Sequence, residues 1–178
     1  MPPASTSATT SSAASPGSKC RGVSHARNRR GKNSRLYKRL VYDLQVAQNV
    51  SAQQSSGKLA SYFEISVTPR PGHTADEMQK IVDEEIARLQ QEGPTAHELD
   101  RSLNQIESSF FNRMERVGGF GGKGDQLNAY YTETGDPDWF NEDLGRYRAL
   151  SPSDIRAAAE AFLPRERRVE LTVVPESK

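Results

Sequence analysis

The sequence predicts an α+β fold, in which helices pack on one face of an antiparallel sheet of about three strands. Two strand-like runs lie close together early in the chain, a long region of helical spacing follows, and one alternating run ends it. The predicted order is therefore a helix, two strands, several helices and a last strand. Three strands make a thin sheet.

The first predicted elements are a short helix and a hairpin. A polar cap at Asn33 or Ser34 begins a helix over about 34–44, whose leucines recur every four residues. Residues 46–53 and 59–68 then alternate or run apolar on either side of a glycine-containing loop, which is typical of neighbouring antiparallel strands. The apolar positions of the helix are Leu36, Leu40 and Leu44.

The middle of the chain predicts a series of helices. Thr74 with Glu77, and Thr95 with Glu98, each form a capping-box pattern that begins a helix. The second of these keeps its helical spacing for about five turns, until a glycine run interrupts it. Three shorter helices follow, and we expect their aromatic residues to pack in a core. These residues are Tyr130, Tyr131, Trp139, Phe140 and Tyr147.

Charge and composition divide the chain into two parts. The net charge is +1, but the first 40 residues contain Lys and Arg and no acid. Residues 1–30 are rich in Ser, Ala and Arg and can bury little apolar surface, so we expect a disordered basic tail followed by one folded domain over 31–178. The tail composition would also fit an organellar targeting segment or a phosphate-binding arm, although it favours a solvated extension or an unrelated piece of reading frame.

Several classes of protein are excluded by composition. No stretch approaches the roughly 18 apolar residues of a membrane span, and the apolar run of a secretory signal is missing. The single cysteine, Cys20, excludes an internal disulfide framework and a multi-cysteine metal site, so the expected compartment is the cytoplasm by default. Acidic residues among the aromatic ones disfavour base stacking, and we expect no nucleic-acid partner for the folded domain.

Two motifs resemble functional sites but lack the required context. His97 and Glu98 are adjacent, yet Arg101 stands where a second zinc-binding histidine would be, so we predict no metal site. Residues 119–124 satisfy the Gly-x-Gly-x-x-Gly pattern, but they follow a helix, whereas a dinucleotide fingerprint follows a strand. This glycine run is therefore interpreted as a break between two helices, in which Phe120 and Lys123 could touch an extended peptide or a neighbouring domain.

Five sequence blocks, in this order, carry a resemblance to a known family. Together they resemble the C-terminal domain of the pitrilysin/insulinase-like zinc metallopeptidases, the domain that does not bind zinc, over residues 31–178. The blocks are GKNSRLY at 31–37, GPTAHELDR at 93–101, GGFGGKGDQLN at 118–128, SPSDI at 151–155 and LTVVP at 171–175.

The resemblance implies a domain without catalysis of its own. The family's catalytic assembly uses an Arg and a Tyr seven residues apart to contact the substrate carbonyl, and Val41 and Gln48 fall at these positions. Neither supplies the required donor, and a shift by one residue offers Tyr42 but still no Arg. We therefore expect Val41, Gln48, Phe120 and Lys123 to serve only as contacts for a peptide substrate, with zinc held by a partner domain or subunit and no cofactor in this chain.

The resemblance also implies that the beginning of the domain is missing, so that the sheet is incomplete, and that the chain is inactive alone. Its expected role is to help enclose a peptide-binding chamber, to which the strand edge at 46–53 could contribute by pairing with extended peptide. The alternative is an assembly subunit that serves as a scaffold in a larger complex. Members of the family often reside in the cell envelope or in organelles, so the compartment stays open.

Overall fold

The computed structural model describes residues 5–12, 34–55 and 61–174. By internal contacts, the described chain divides into two compact units. The first unit contains the described residues up to Glu92 and those from Ala157 onward, and the second contains Gly93–Arg156. Each unit has its own packing and is described separately.

The first unit is built on a four-stranded antiparallel sheet. Its strands are β1 (Ser5–Ser12), β2 (Ala47–Ser55), β3 (Ser61–Pro69) and β4 (Val169–Val173). They lie in the order β2-β3-β1-β4, so β1 is an inner strand, and β2 and β4 form the two edges. The class predicted from sequence, α+β with an antiparallel sheet, is confirmed.

The inner strand β1 was not predicted. Disorder was expected throughout residues 1–30, whereas Ser5–Ser12 pairs with both β3 and β4, and the sheet therefore has four strands and not three. Strand pairing uses backbone N–H and C=O groups that every residue here carries, and threonine suits the pleated conformation. A prediction based on apolar content misses such a strand. The rest of the predicted tail lies outside the described residues.

The predicted hairpin is confirmed as the antiparallel pair β2 and β3. The pair is in register from Asn49 opposite Thr68 to Ser55 opposite Tyr62, with one irregularity between Ala47 and Asn49. The predicted loop between the strands lies outside the part of the chain that the structure describes.

The first predicted helix is only partly α-helical. It starts as α1 (Arg35–Tyr37), capped by Ser34, and continues as a π-helical segment over Lys38–Asp43. The Leu44 amide donates to the Arg39 carbonyl at 2.9 Å, five residues back. The wider turn changes which side chains face inward, so Leu40 and Val41 are buried while Leu44 is exposed, contrary to the predicted four-residue repeat.

Helix α2 (Ala75–Glu92) covers one face of the sheet, and Thr74 caps it as predicted. Its residues Met78 and Val82 are buried with residues of the π-helical segment and of the sheet in one cluster. Arg39 bridges two carboxylates of this helix, donating to Glu85 and to Glu84 at 2.5 Å each. The core cluster consists of Leu40, Val41, Val46, Ala47, Val50, Ile65, Val67, Met78, Ile81 and Val82.

The second unit is helical. It contains α3 (Ala96–Glu115), α4 (Lys123–Thr134), α5 (Phe140–Arg148) and the start of α6 (Pro152–Phe162). Both halves of the predicted capping box of α3 are present, because Glu98 N–H donates to Thr95 Oγ1 and Thr95 N–H donates to Glu98 Oε2. Gly135, in the left-handed conformation, ends α4.

An aromatic cluster packs these helices together, as predicted. The Phe110 ring meets Phe140 and Tyr147 edge to face at 5.5 and 5.6 Å, and Tyr130 meets Trp139 at 6.1 Å. Such edge-to-face pairs add to the stabilisation from apolar burial. Tyr131 was included in the predicted cluster, but it is exposed.

Candidate functional site

The exposed edge of the sheet at β2 is the first candidate site. β2 lies at the end of the strand order, so one side of its backbone has no neighbouring strand among the described residues. Its sequence, AQNVSAQQS, contains no charged residue and no proline. Edge strands commonly carry such residues because they prevent another chain from pairing there. By this criterion β2 is an open edge nine residues long.

The two positions aligned with the family's substrate contacts lie in different environments. Val41 is 9% exposed and belongs to the core cluster of the first unit. Gln48 is exposed at the irregularity where the register of β2 shifts. A side chain at such a bulge is turned away from the regular alternation of the strand. Gln48 is therefore accessible to a bound chain, whereas Val41 supports the strand from within the core.

The polar groups along β2 are neutral, apart from one neighbouring carboxylate. Gln53 Nε2 donates a hydrogen bond of 3.0 Å to Glu64 Oε2 on β3. The pair lies at directly opposed positions of the antiparallel ladder. The amide thus pairs with the Glu64 carboxylate on the inner neighbour of the edge strand.

The described residues do not fit a zinc ion. No group of three His, Cys, Asp or Glu in the described ranges is close enough to hold a metal. His73 Nδ1 lies 3.0 Å from Glu77 Oε2 on the surface, and Glu98, next to His97, is engaged in the helix cap. His25 lies outside the described residues.

Phe120 and Lys123 belong to the second unit and lie on the glycine-rich connection between α3 and α4. Phe120 is 94% exposed, and Lys123, also exposed, is the first residue of α4. These two residues are three positions apart in the chain, while Val41 and Gln48 belong to the first unit. Sequence analysis did not single out Val117, which is 82% exposed on the same connection.

An apolar cleft in the first unit was also missed by sequence analysis. It encloses about 30 Å³ between β3, α2 and the chain from the end of α6 into β4, and its polar lining includes Asp83, Arg168 and Glu170. Arg168 donates to both oxygens of Asp83, and this hydrogen bonding raises the pKa of Arg168. The lining residues come from distant segments, so no local pattern indicates the cleft. The apolar lining consists of Phe63, Ile65, Val67, Met78, Val82, Ile86 and Leu163.

No helix in the described part of the chain combines the length and the apolar character needed to cross a lipid bilayer. The charged and polar faces of the long helices α2 and α3 account for this, because each buries only one stripe of residues.

Comparison with a family model supports the resemblance deduced from the sequence blocks. Residues 27–106 match the model described as the peptidase M16 inactive domain. The matched region contains β2, β3, α2 and part of α3, and hence the open edge and both aligned positions. The predicted resemblance to a non-catalytic domain of a zinc peptidase family is confirmed. No curated protein matches the chain at a significant level.

Solved structures share the fold at low sequence identity. A protease from Helicobacter pylori matches with a TM-score of 0.79 and 18% identity, covering 98% of this chain and 42% of that one. The inactive peptidase domain of a protein assigned as a zinc protease in Bordetella parapertussis matches with a TM-score of 0.75 and 19% identity, covering 97% and 93% of the two chains. A peptidase M16 inactive domain from Pseudomonas fluorescens gives 0.76 and 16%, covering 99% and 42%. The chain therefore spans less than half of the first and third of these proteins.

Proposed function

We propose, from the premise that residues 27–106 belong to the inactive-domain part of the M16 peptidase family, that this chain is a non-catalytic domain that helps to enclose a peptide-binding chamber. The zinc ion and the hydrolytic step belong, in this proposal, to a partner domain or subunit. The observation that carries the proposal is the open edge of β2, which is uncharged, free of proline and nine residues long.

The open edge suits a peptide in extended conformation. A strand added to a sheet edge is held by backbone hydrogen bonds, which give affinity without demanding a particular sequence. Gln48, exposed at the bulge, supplies a side-chain contact that would help to choose among peptides. Val41 supports the edge by packing in the core behind it, so its expected role as a substrate contact becomes an indirect one.

The assignment of zinc binding and hydrolysis to a partner follows from the side chains that this chain offers. Peptide hydrolysis by a metallopeptidase needs ligands for the metal and a donor to polarise the carbonyl. Val41 and Gln48 replace the donors that the family's catalytic assembly uses, and the described histidines lie in separate units. Binding and orientation of peptide are then the contributions that this chain can make.

A proline scan of the edge tests peptide pairing. Adjacent residues of an edge strand direct their N–H groups to opposite sides, one toward the neighbouring strand and one toward solvent. The two variants to compare are Ser51→Pro and Ala52→Pro, and the probe is a labelled 12-residue peptide of alternating Val and Thr. The variant that loses a solvent-facing N–H should bind less of this peptide and keep the melting temperature of the wild type. The other should lose stability. Equal peptide binding by the wild type and both proline variants would reject pairing at β2.

Zinc addition tests the absence of catalysis. We expect zinc chloride to leave both the melting temperature and the peptide-hydrolysis rate of the purified chain unchanged, since metal that binds only the native state raises stability. We also expect the chain to co-purify with a zinc-bearing member of the family, and hydrolysis to appear only in that complex. Stoichiometric zinc together with hydrolysis by the chain alone would overturn the proposal, and co-purification with an unrelated complex would favour the scaffold alternative.

A further inference from the structure

The inner strand β1 has a sequence that does not match its place in the sheet. Ser5–Ser12 reads STSATTSS, in which Ala8 is the single apolar residue. A strand that has a neighbour on each side and one face against a core commonly carries apolar residues at every second position. Its neighbour β3 follows that rule, with Phe63, Ile65 and Val67 on the face that α2 covers. A more apolar strand would therefore suit the place of β1 better.

The strand register shows which part of β1 lies beside the apolar cleft. Ala8 pairs with Ile65 of β3 on one side and with Glu170 of β4 on the other. Residues directly opposite one another in a ladder lie on the same face of the sheet. Ile65 and Glu170 both line the cleft. The cleft thus spans the place of β1 at position 8, and a larger residue at that position would extend into it.

The free volume of the cleft matches a β-branched apolar residue. About 30 Å³ is room for about two groups the size of a water molecule or a methyl group, and valine has two more carbon atoms than alanine. The charged residues on the β4 side pair with one another, because Arg168 donates to both Asp83 and Glu170. A neutral residue therefore suits the cleft better than a charged one.

The length of the connection to α1 allows β1 to be exchanged for another strand. Residues 13–33 join β1 to α1. A segment of about 20 residues can span up to roughly 70 Å when it is fully extended. β1 can therefore leave the sheet while α1 and the hairpin of β2 and β3 keep their places. The match with the family model begins at residue 27 and does not include β1.

We infer that the place between β3 and β4 is an acceptor site for an extended segment of a partner protein, which carries valine or isoleucine at every second position and displaces Ser5–Ser12. Both strands can make the same backbone hydrogen bonds, so the incoming strand gains its advantage from apolar burial. Each additional buried methylene strengthens binding by about fourfold. Such a strand is inserted between two others, whereas a peptide at β2 is added to an edge, and the inference holds whether or not peptide pairs with β2.

Binding of synthetic peptides to the full chain tests the inference. The probe is labelled SVSVTVSS, which is the β1 sequence with valine at the positions of residues 6, 8 and 10. One control, SSVVVTSS, has the same composition without the alternation, and the other is the β1 sequence itself. We expect the probe to bind at least about tenfold more tightly than either control. Equal affinity of the three peptides, or no binding of the probe, would overturn the inference.

Filling the cleft from within the chain provides the second measurement. Ala8→Val should raise the melting temperature and weaken binding of the probe by about tenfold, because the chain's own strand then occupies the space that the probe would fill. Ser7→Val is the matched control, since residue 7 pairs with Ser66 and Leu171 on the other face of the sheet, and it should do neither. Undiminished probe affinity in Ala8→Val would overturn the inference.

A reversible lock on β1 separates this site from the open edge of β2. Ser7→Cys combined with Ser66→Cys, in a chain that also carries Cys20→Ser, joins two directly opposed positions of β1 and β3 by a disulfide. Oxidation should weaken probe binding by about tenfold and reduction should restore it, whereas pairing at β2 would not respond. Probe affinity that is unchanged by oxidation would overturn the inference. A disulfide between two chains would also overturn it, because Ser5–Ser12 of a second copy would then be the occupant.

Discussion

The Tyr130 hydroxyl donates a hydrogen bond of 3.0 Å to Asp143 Oδ2, joining α4 to α5 inside the second unit. The two residues are 0% and 2% exposed. Burial raises the pKa of Asp143 above its ordinary value, although the hydroxyl of Tyr130 and the charges of Arg146 and Arg113 lower it in part. Burial and the Asp143 charge also raise the pKa of Tyr130, which therefore stays protonated and able to donate.

The pair predicts a specific pH dependence for Asp143→Asn. Since the pKa of Asp143 is higher in the folded state, its favourable contribution to stability is complete below the unfolded-state pKa and is lost as pH rises through the folded-state pKa. Asparagine keeps an acceptor for Tyr130 but does not titrate. Denaturant unfolding should therefore show the variant gaining stability relative to the wild type as the pH rises above about 4. A difference that is constant with pH would contradict a raised pKa.

Removal of the donor should destabilise the second unit. Tyr130→Phe leaves the Asp143 carboxylate buried without its hydroxyl, and a lost hydrogen bond to a charged group costs about 1.5–3 kcal/mol. The loss should be larger at neutral pH than in acid, because the hydroxyl favours the charged carboxylate. Tyr131→Phe, on the exposed neighbour, is the matched control and should change the unfolding free energy by less than about 0.5 kcal/mol.

The ion pair between Arg168 and Asp83 should stabilise the first unit. Both side chains are largely buried, and Arg168 contacts both carboxylate oxygens. Arg168→Met leaves the carboxylate without this partner, and we expect a loss of about 1–3 kcal/mol, less than for a fully buried pair. Arg165 lies 3.4 Å from the same carboxylate but is 73% exposed, so Arg165→Met should cost less than about 0.5 kcal/mol. Equal losses in urea unfolding would contradict this ranking.

An additional methylene in the apolar cleft should stabilise the first unit. Val82 lines the cleft, so Val82→Ile can extend into existing space and gain up to about 0.8 kcal/mol. Val41 is comparably buried but does not line the cleft, and Val41→Ile should be neutral or cost about 1 kcal/mol through overpacking. Thermal unfolding of the two variants tests the prediction, and a lower melting temperature for Val82→Ile would show that the space is not available.

The backbone shape of the connection between α3 and α4 predicts different effects for substitutions at two of its glycines. Gly122→Ala would place its Cβ 2.7 Å from the Gly118 carbonyl oxygen, whereas a Cβ on Gly118 would meet nothing within 4 Å. We expect Gly122→Ala to lower the unfolding free energy by about 1–3 kcal/mol and Gly118→Ala to change it by less than about 0.5 kcal/mol. Similar unfolding midpoints for the two variants would contradict this backbone shape.

Local signals in the sequence identified most elements correctly. The capping box at Thr95 and Glu98, the hairpin that became β2 and β3, and the cap of α2 at Thr74 depend on residues a few positions apart, and the structure contains each of them. The open edge of β2 was also predicted, because a strand that has a neighbouring strand on one side only leaves its other side open. The role of Val41, Gln48, Phe120 and Lys123 as substrate contacts stays a prediction.

Features that the sequence did not predict depend on distant parts of the chain. The ion pair between Asp83 and Arg168 joins residues 85 positions apart. The apolar cleft is likewise lined by residues from distant segments. The π-helical turn that buries Val41 instead of Leu44 is set by the core against which it packs. A pattern read over a few residues has no access to such contacts.

By itself, the sequence determined the α+β class, the order of helices and hairpin, and the resemblance to the non-catalytic domain of a zinc peptidase family, because caps, turns, periodicity and ordered motifs are properties of short segments. Only the tertiary structure decided that the Ser- and Thr-rich segment Ser5–Ser12 becomes an inner strand, that Asp143 is buried with Tyr130, and that Phe120 remains outside. Burial and strand pairing are set by what the rest of the chain places around a residue, and this is fixed only when distant segments meet.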